Sequence, residues 1–158
     1  MQASRTHTDI QICSATLVDI PTLCRLLAIL FSQETEFQPN QTSQAAALKS
    51  LLNNPELGEI MVARSTNQVI GMVSLLYTVS TALGGRVALL EDMLIHPDFR
   101  NQAIGSGLLS HAVNVALEKG CRRITLLTDK HNLPAQRFYR RHGFKASEML
   151  PMRFLVEV

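Results

Sequence analysis

The fold of this chain is organised around the segment His96-Pro97-Asp98-Phe99-Arg100-Asn101-Gln102-Ala103-Ile104-Gly105-Ser106-Gly107-Leu108-Leu109. An apolar run over residues 87–95 leads into it and predicts a strand, and an apolar-periodic helix is predicted from Gly105 onward. The first N–H groups of such a helix have no partner within it and point into the loop, where the positive end of the helix dipole attracts anions. Gly105 and Gly107 lack a Cβ, so phosphates can approach the main chain closely. The stretch therefore predicts a pyrophosphate site.

Two common phosphate loops do not match this pattern. The P-loop requires Lys followed by Ser or Thr after its last glycine, whereas Leu108 and Leu109 follow Gly107 here. The dinucleotide fingerprint requires three glycines at fixed spacing near the first strand of a βαβ unit. The pattern that remains is Gln102-x-x-Gly105-x-Gly107, placed directly after a predicted strand.

Length and composition limit the classes of protein to consider. At 158 residues with 46% hydrophobic residues, the chain is predicted to form one domain over residues 1–158, with residues 1–8 flexible. A formal net charge of +2 is too small to indicate nucleic acid or a membrane surface as a partner. The first residues lack a signal-peptide pattern, and the cysteines show no disulfide or zinc spacing, so the prediction is a cytoplasmic protein. Three dispersed histidines lead to a prediction of no metal site; they are His96, His111 and His131.

The order of predicted elements gives the fold class. Strand signals and helical stripes follow one another as β-α-α-β-β-β-α-β-α-β-β, with the last two strands in the segment after Phe144. The three middle strands are predicted to form an antiparallel meander, because short turns at Thr66-Asn67 and Gly84-Gly85 join them. The strand at residues 124–128 follows a helix and is predicted to run parallel to the strand before that helix. The result is an α+β fold, a central mixed β-sheet with helices on both faces.

A second motif lies downstream and identifies a family. Residues 132–144 carry Asn-x-x-Ala-x-x-Phe-Tyr-x-x-x-Gly-Phe. This segment, the glycine loop before it and the element order together resemble the GNAT-type N-acetyltransferases. Within that superfamily, Leu90-Glu91-Asp92 and the helix carrying Phe138-Tyr139 look like the spermidine/spermine N-acetyltransferase branch. Many members have glycine where this chain has Asn101 and Ala103, which leaves the shape of the first half of the loop open.

The resemblance implies acetyl-CoA as the cosubstrate and a small-molecule primary amine as the acceptor. It implies that Tyr139 protonates the departing thiolate, and that Glu91 accepts the ammonium proton through water. The strand near Met93 would pair with the pantetheine arm. The residues implied to bind the coenzyme are Met93, Leu94, Ile95, Arg100, Gln102, Ala103, Ile104, Gly105, Ser106, Gly107, Asn132 and Tyr139.

Several residue roles stay open at the level of sequence. Asn132 either bonds the coenzyme or caps its helix. Glu91 and Asp92 are neighbours on a strand and are expected to point to opposite sides of the sheet, so at most one faces the amine. The base is one of these carboxylates or water. The basic residues near the C-terminus form either a solvated helix face or a phosphate contact; they are Arg137, Arg140, Arg141, His142 and Lys145.

Two other functions fit the same family. One is acetylation of a protein lysine or N-terminus, which needs an open groove for peptide. The other is a non-catalytic acyl-CoA-binding sensor, against which the presence of both Glu91 and Tyr139 argues. A homodimer is also predicted, because the apolar last strand, residues 154–156, would leave an unpaired sheet edge.

Overall fold

A computed structural model describes residues 9–34, 36 and 38–156. The segment predicted to be flexible, residues 1–8, lies outside the described residues. The chain divides into two compact units, Met1–Leu127 and Thr128–Val158. The prediction of a single domain stays a prediction.

The first unit is built on a five-stranded mixed sheet in the order β1-β2-β3-β4-β5. Strands β1 to β4 pair antiparallel with their neighbours, and β5 pairs parallel with β4, which confirms the predicted meander and crossover. The β2–β3 turn places both Thr66 and Asn67 at positive φ, the backbone that tight hairpin turns require. The strands are Ile10–Ser14, Gly58–Ser65, Gln68–Ser80, Gly85–Ile95 and Ile124–Leu126.

Helices α1, Ile20–Ser32, and α2, Gln41–Asn53, cover one face of this sheet. Leu23 and Leu27 of α1 pack with Leu48 of α2 against the β2 residues Ile60 and Val62. The two β2 residues are two positions apart, so they share a face of the strand. This cluster is the apolar core on the α1–α2 side.

Asp19 occupies the N-cap position of α1, but its carboxylate makes no capping hydrogen bond to that helix. One oxygen accepts a hydrogen bond from the Thr16 N–H at 2.7 Å. The same oxygen lies 2.7 Å from Nη2 of Arg64 on β2. This ion pair fixes the start of α1 to the sheet.

Helix α3, Ile104–Glu118, packs on the opposite face. A Cβ added to Gly107 would lie 3.3 Å from Cδ1 of Ile12 in β1. Ile12 pairs with Ala63 in β2, and Ala63 alternates with Val62, so Ile12 and Ala63 face away from α1 and α2. The prediction of helices on both faces is thereby confirmed for the first unit.

The second unit contains helix α4, Leu133–Arg141. The helix ends at Gly143, whose φ is 89°. The N–H groups of Gly143 and Phe144 return to the carbonyls of Arg140 and Tyr139 at 3.1 Å each, the pattern of a glycine-terminated helix.

The two strands predicted after Phe144 are wrong, because residues 144–156 contain no strand. The apolar pattern at Phe154, Leu155 and Val156 suits a strand, but a strand forms only when a neighbour supplies the backbone hydrogen bonds. These three side chains are instead 75–93% exposed.

Candidate functional site

A bulge in β4 brings two carboxylates together. Met72 of β3 lies opposite Leu94, and Ser74 lies opposite Glu91, so two steps along β3 match three steps along β4. The extra residue of β4 is accommodated at Asp92, which has φ 52°. Such bulges bend the strand and re-aim side chains, often beside active sites. We refer to residues 91–93 as the β4 bulge.

Both acidic residues of the β4 bulge neighbour one buried serine. Ser74 is fully buried, and its register partner on β4 is Glu91. The Ser74 hydroxyl is also 3.4 Å from Oδ2 of Asp92. The expectation that Glu91 and Asp92 point to opposite sides of the sheet is therefore wrong, because it assumed regular alternation and the bulge interrupts that alternation.

The two carboxylates differ in their surroundings. Glu91 is exposed, whereas Asp92 is half-buried. Burial, with repulsion from the charges of Glu91 and Glu34, raises the pKa of Asp92 to about 6, and the hydrogen bond from Ser74 opposes that rise. Asp92 therefore exchanges its proton close to neutral pH, the range in which general bases work best.

Ser74 and Glu34 were missed from the sequence. A serine inside the apolar run of residues 69–76 was a signal in the case of Ser74, because a buried hydroxyl needs a polar partner. Glu34 gave no comparable signal, since it follows α1 in a polar connection that resembles any solvated loop.

The loop between β4 and α3 is held by its own side chains. Nε of Arg100 donates to the carbonyl of Ile95 at 2.9 Å. Nδ1 of His96 accepts from the Asp98 N–H at 3.3 Å, at the start of a short 3₁₀ turn, Pro97–Phe99. The loop is thus shaped locally before any anion binds.

Asn101 and Ala103 both adopt the left-handed conformation, each with φ 60°. These are the two positions at which many members of the resembled family have glycine. Asparagine tolerates this conformation better than most residues, whereas alanine does not. The loop therefore keeps a glycine-type backbone without the glycines, which answers the question that the sequence left open.

The two glycines of the loop motif serve different purposes. The N–H of Gly107 donates to the carbonyl of Ala103 at 3.1 Å, so it is not available to an anion. Its missing Cβ leaves room for Ile12, as described above. The N–H groups of Ile104, Gly105 and Ser106 precede the first closed turn and are the donors that such a helix start offers. That Gly107 binds coenzyme stays a prediction.

Beyond the bulge, β4 has main-chain groups on the side away from β3. Pairing of β4 with β5 covers only Ala88, Leu89 and Leu90. The His96 N–H bonds to the Ile70 carbonyl on β3, so by alternation the main chains of Met93 and Ile95 face away from β3. An extended ligand such as a pantetheine arm can pair with groups of this kind.

In the second unit, Asn132 caps its helix. Its Oδ1 accepts from the Ala135 N–H at 3.1 Å. Of the two roles considered for Asn132, capping is therefore present in the structure, and coenzyme binding by the same residue stays a prediction. The preceding turn is fixed by Gln136, whose amide donates to the carbonyls of Asp129 and Lys130.

Tyr139 lies in an aromatic group on α4. Its ring centroid is 5.3 Å from that of Phe138 and 5.8 Å from that of Phe144, both in edge contacts. Burial raises the pKa of the Tyr139 phenol to about 12. The hydroxyl therefore stays protonated at neutral pH and is available as a proton donor.

The comparisons with known proteins agree with these features. Residues 23–144 match the Acetyltransferase (GNAT) family. The chain belongs to this family and is an acetyl-CoA-dependent N-acetyltransferase.

The chain is also similar to individual acetyltransferases. The chain is 34% identical over 122 residues to an uncharacterized N-acetyltransferase, YhfO, of Bacillus subtilis (75% of this chain, 81% of that one). It is 29% identical to the aminoalkylphosphonate N-acetyltransferase of Salmonella typhimurium (84% and 83%). It is 34% identical to the thialysine N-epsilon-acetyltransferase of Sus scrofa, over 55% of this chain and 52% of that one.

A solved structure supports the fold. A predicted acetyltransferase from Clostridium acetobutylicum, crystallised with acetyl-CoA, superposes with a TM-score of 0.74 at 23% identity (92% and 96% of the two chains). Within the described residues, no helix is both long and apolar enough to cross a membrane.

Proposed function

We propose that the protein transfers the acetyl group of acetyl-CoA to a primary amine of a small, positively charged molecule. The observation that carries the proposal is the β4 bulge, which puts two carboxylates of an acetyltransferase beside one another on a single strand. Negative groups of this kind attract an ammonium and can remove its proton.

Cosubstrate binding is assigned to the loop before α3 and to β4. The first-turn N–H groups of Ile104, Gly105 and Ser106 suit the pyrophosphate, because they combine hydrogen bonding with the positive end of the helix. Gln102 and Arg100 flank these donors in the loop. The main chain of Met93 and the N–H of Ile95 face the pantetheine arm, whereas the Ile95 carbonyl accepts from Arg100. Leu94 anchors the strand in the core.

The proposed reaction is direct transfer. The neutral amine attacks the thioester carbon, the C–S bond breaks, and its electron pair passes to sulfur. A carboxylate of the β4 bulge, Glu91 or Asp92, receives the proton that the ammonium must lose before attack. Tyr139 gives its proton to the leaving sulfur and is reprotonated by the second proton lost from nitrogen. The net result is one N-acetylated amine, one free thiol and one proton released.

Support for the acceptor class comes from charge. Glu91, Asp92 and Glu34 are close enough for the charges of the other two to raise the pKa of Asp92. This surrounding favours a cation over an anion. Of the acceptors named for relatives, the thialysine type therefore fits this chain better than an aminoalkylphosphonate.

The test is a measurement of thiol release and acetylated product across a panel of acceptors. The panel holds thialysine, spermidine, aminomethylphosphonate, glucosamine 6-phosphate and a peptide with a free N-terminus. We expect stoichiometric thiol and N-acetyl product with the cationic amines, and little turnover with the phosphorylated ones.

Each rival has its own result. Preferred turnover of the peptide would indicate a protein acetyltransferase. Binding of acetyl-CoA in calorimetry without turnover of any acceptor would indicate a sensor. Preferred turnover of aminomethylphosphonate would refute the cationic acceptor while leaving acetyl transfer intact.

A further inference from the structure

We propose that Asp92 is the group that receives the ammonium proton, and that the buried Ser74 hydroxyl is its positioning residue. This assignment rests on the proposed acetyl transfer and adds to it which carboxylate acts, and what holds that carboxylate in place.

The geometry of the β4 bulge carries the assignment. Asp92 has φ 52°, so its side chain departs from the regular alternation of β4 and is directed toward Ser74 on β3. There it meets the Ser74 hydroxyl at 3.4 Å. Ser74 is fully buried between Val73 and Leu75, where a hydroxyl without a polar partner would be costly. The described hydrogen bond of this hydroxyl is the one to Asp92, so each of the two polar groups supplies a partner for the other.

Glu91 is less suited to the same task. Its side chain is exposed, and water competes for the ammonium and dilutes its electrostatic effect. Asp92 is half-buried and is held from one side by Ser74. A positioned, partly desolvated carboxylate removes a proton more effectively than a solvated and mobile one.

The groups that act electrostatically on Asp92 come from three elements. Glu91 lies on the same strand, Glu34 follows α1, and Ser74 belongs to β3. The two glutamates favour protonated Asp92 and the serine favours the ionised form. Removing Ser74 should therefore raise the pKa of Asp92, and removing the charge of Glu91 should lower it.

The first measurement is kinetic. The dependence of kcat/KM on pH is measured with thialysine, or with the best acceptor of the panel. The part of the profile that falls toward low pH, the acid limb, is compared for wild type, Asp92→Asn, Ser74→Ala and Glu91→Gln. Asn keeps the size of the side chain and tolerates the left-handed backbone. We expect Asp92→Asn to lose about 10²–10⁴ in kcat/KM. Ser74→Ala should shift the limb to higher pH, and Glu91→Gln should shift it to lower pH without abolishing it.

The matched control is Ser65→Ala. Ser65 is a second buried serine of the same sheet, 6% exposed, and lies on β2. The Ser65→Ala change should leave the pH of the acid limb as it is in wild type. Circular dichroism and acetyl-CoA binding check that each variant is folded.

The second measurement does not depend on the acceptor. Carbon-13 NMR of protein labelled at the aspartate carboxyls, assigned by the missing signal in Asp92→Asn, follows the titration of Asp92 directly. We expect a midpoint near 6 in wild type and a higher one in Ser74→Ala.

The outcomes separate the two proposals. Absence of acetyl transfer in wild type refutes the proposed function, whatever the NMR titration shows. An active wild type whose Asp92→Asn variant keeps the rate and limb, or whose Glu91→Gln variant alone loses the limb, refutes Asp92 as the acceptor. A Ser74→Ala variant that behaves like Ser65→Ala in both measurements refutes the positioning role.

Discussion

Ala103 is the residue at which the backbone of the loop before α3 is strained. It has φ 60° and precedes α3 as its N-cap, where no side chain caps the helix. An L-residue with a Cβ in this conformation is disfavoured by about 1–2 kcal/mol. Glycine would avoid that strain, but it loses about 0.5–1 kcal/mol more through chain entropy on folding.

We expect Ala103→Gly to raise the free energy of unfolding by about 0.5–1 kcal/mol, the difference between these two effects. Denaturation in urea measures the change. Ala46→Gly is the control, because Ala46 is exposed in the helical interior of α2 and glycine there should cost about 1 kcal/mol. Equal destabilisation by both changes would show that the loop at residue 103 is not strained.

Tyr139 provides a prediction about proton transfer. Tyr139→Phe keeps the edge contacts with Phe138 and Phe144 and removes only the hydroxyl. We expect kcat to fall by about 10²–10⁴ while the Kd for acetyl-CoA stays within a few-fold, because a proton donor acts in the transition state. Steady-state kinetics and calorimetry separate the two quantities. The matched change Phe144→Leu alters the same aromatic group without touching the hydroxyl, and should have a much smaller effect on kcat. An unimpaired Tyr139→Phe variant would remove Tyr139 from the mechanism.

The sequence predicted residue roles unevenly. Residues whose role follows from a local pattern were found, such as Thr66 and Asn67 in the β2–β3 turn and Asn132 as the cap of α4. Roles that depend on a neighbouring strand were not. Ser74 and Asp92 meet only because one residue is inserted in β4, and nothing in the alternation of residues 87–95 marks an insertion.

At the scale of the element, the start of α3 is the part of the fold that prepares an anion site. Gly105 is the central residue of its first turn, and we expect Gly105→Val to raise the Kd for acetyl-CoA about 100-fold, equivalent to about 2.7 kcal/mol. The reason is that a branched side chain would occupy the space that the pyrophosphate needs. Calorimetric titration measures the effect.

Ser110→Val controls for the intrinsic effect of valine on this helix. Ser110 is exposed in the same helix, beyond the first turn, so the change places a valine in α3 away from the loop. Its Kd should match that of wild type. Normal binding by a folded Gly105→Val variant would contradict the phosphate assignment.

Most elements were predictable because each has its own local signal. The hairpin at Thr66-Asn67, the helix from Asn132 and the parallel strand after α3 were all found. The strands after Phe144 were predicted wrongly. An apolar run indicates that a segment is suited to burial, but it does not show which neighbour would bury it or pair with its backbone.

At the scale of the whole molecule, the C-terminal segment is the feature that lacks cover. Six apolar side chains there are 75–93% exposed, namely Met149, Leu150, Met152, Phe154, Leu155 and Val156. Exposed apolar surface of this kind commonly marks an interface. The predicted homodimer would cover it.

We therefore expect wild type to sediment as a dimer at micromolar concentration, and the double change Phe154→Ser, Leu155→Ser to sediment as a monomer. Val18→Ser is the control, because Val18 is 84% exposed but lies in the 3₁₀ turn before α1, far from the C-terminal segment in sequence. It should leave the sedimentation coefficient unchanged. A monomeric wild type would dispose of the dimer.

The short pairing between β4 and β5 has a consequence for hydrogen exchange. The amides of Met93 and Ile95 face the side on which β5 no longer pairs, whereas the amide of Leu94 faces Met72 on β3. In the free protein the first two should exchange with deuterated solvent much faster than the third, since strand hydrogen bonds are what retard exchange. Saturating acetyl-CoA should slow Met93 and Ile95 and leave Leu94 nearly as it was. The exchange rates of alternating residues in β4 would thus show whether the pantetheine arm is hydrogen-bonded to this strand.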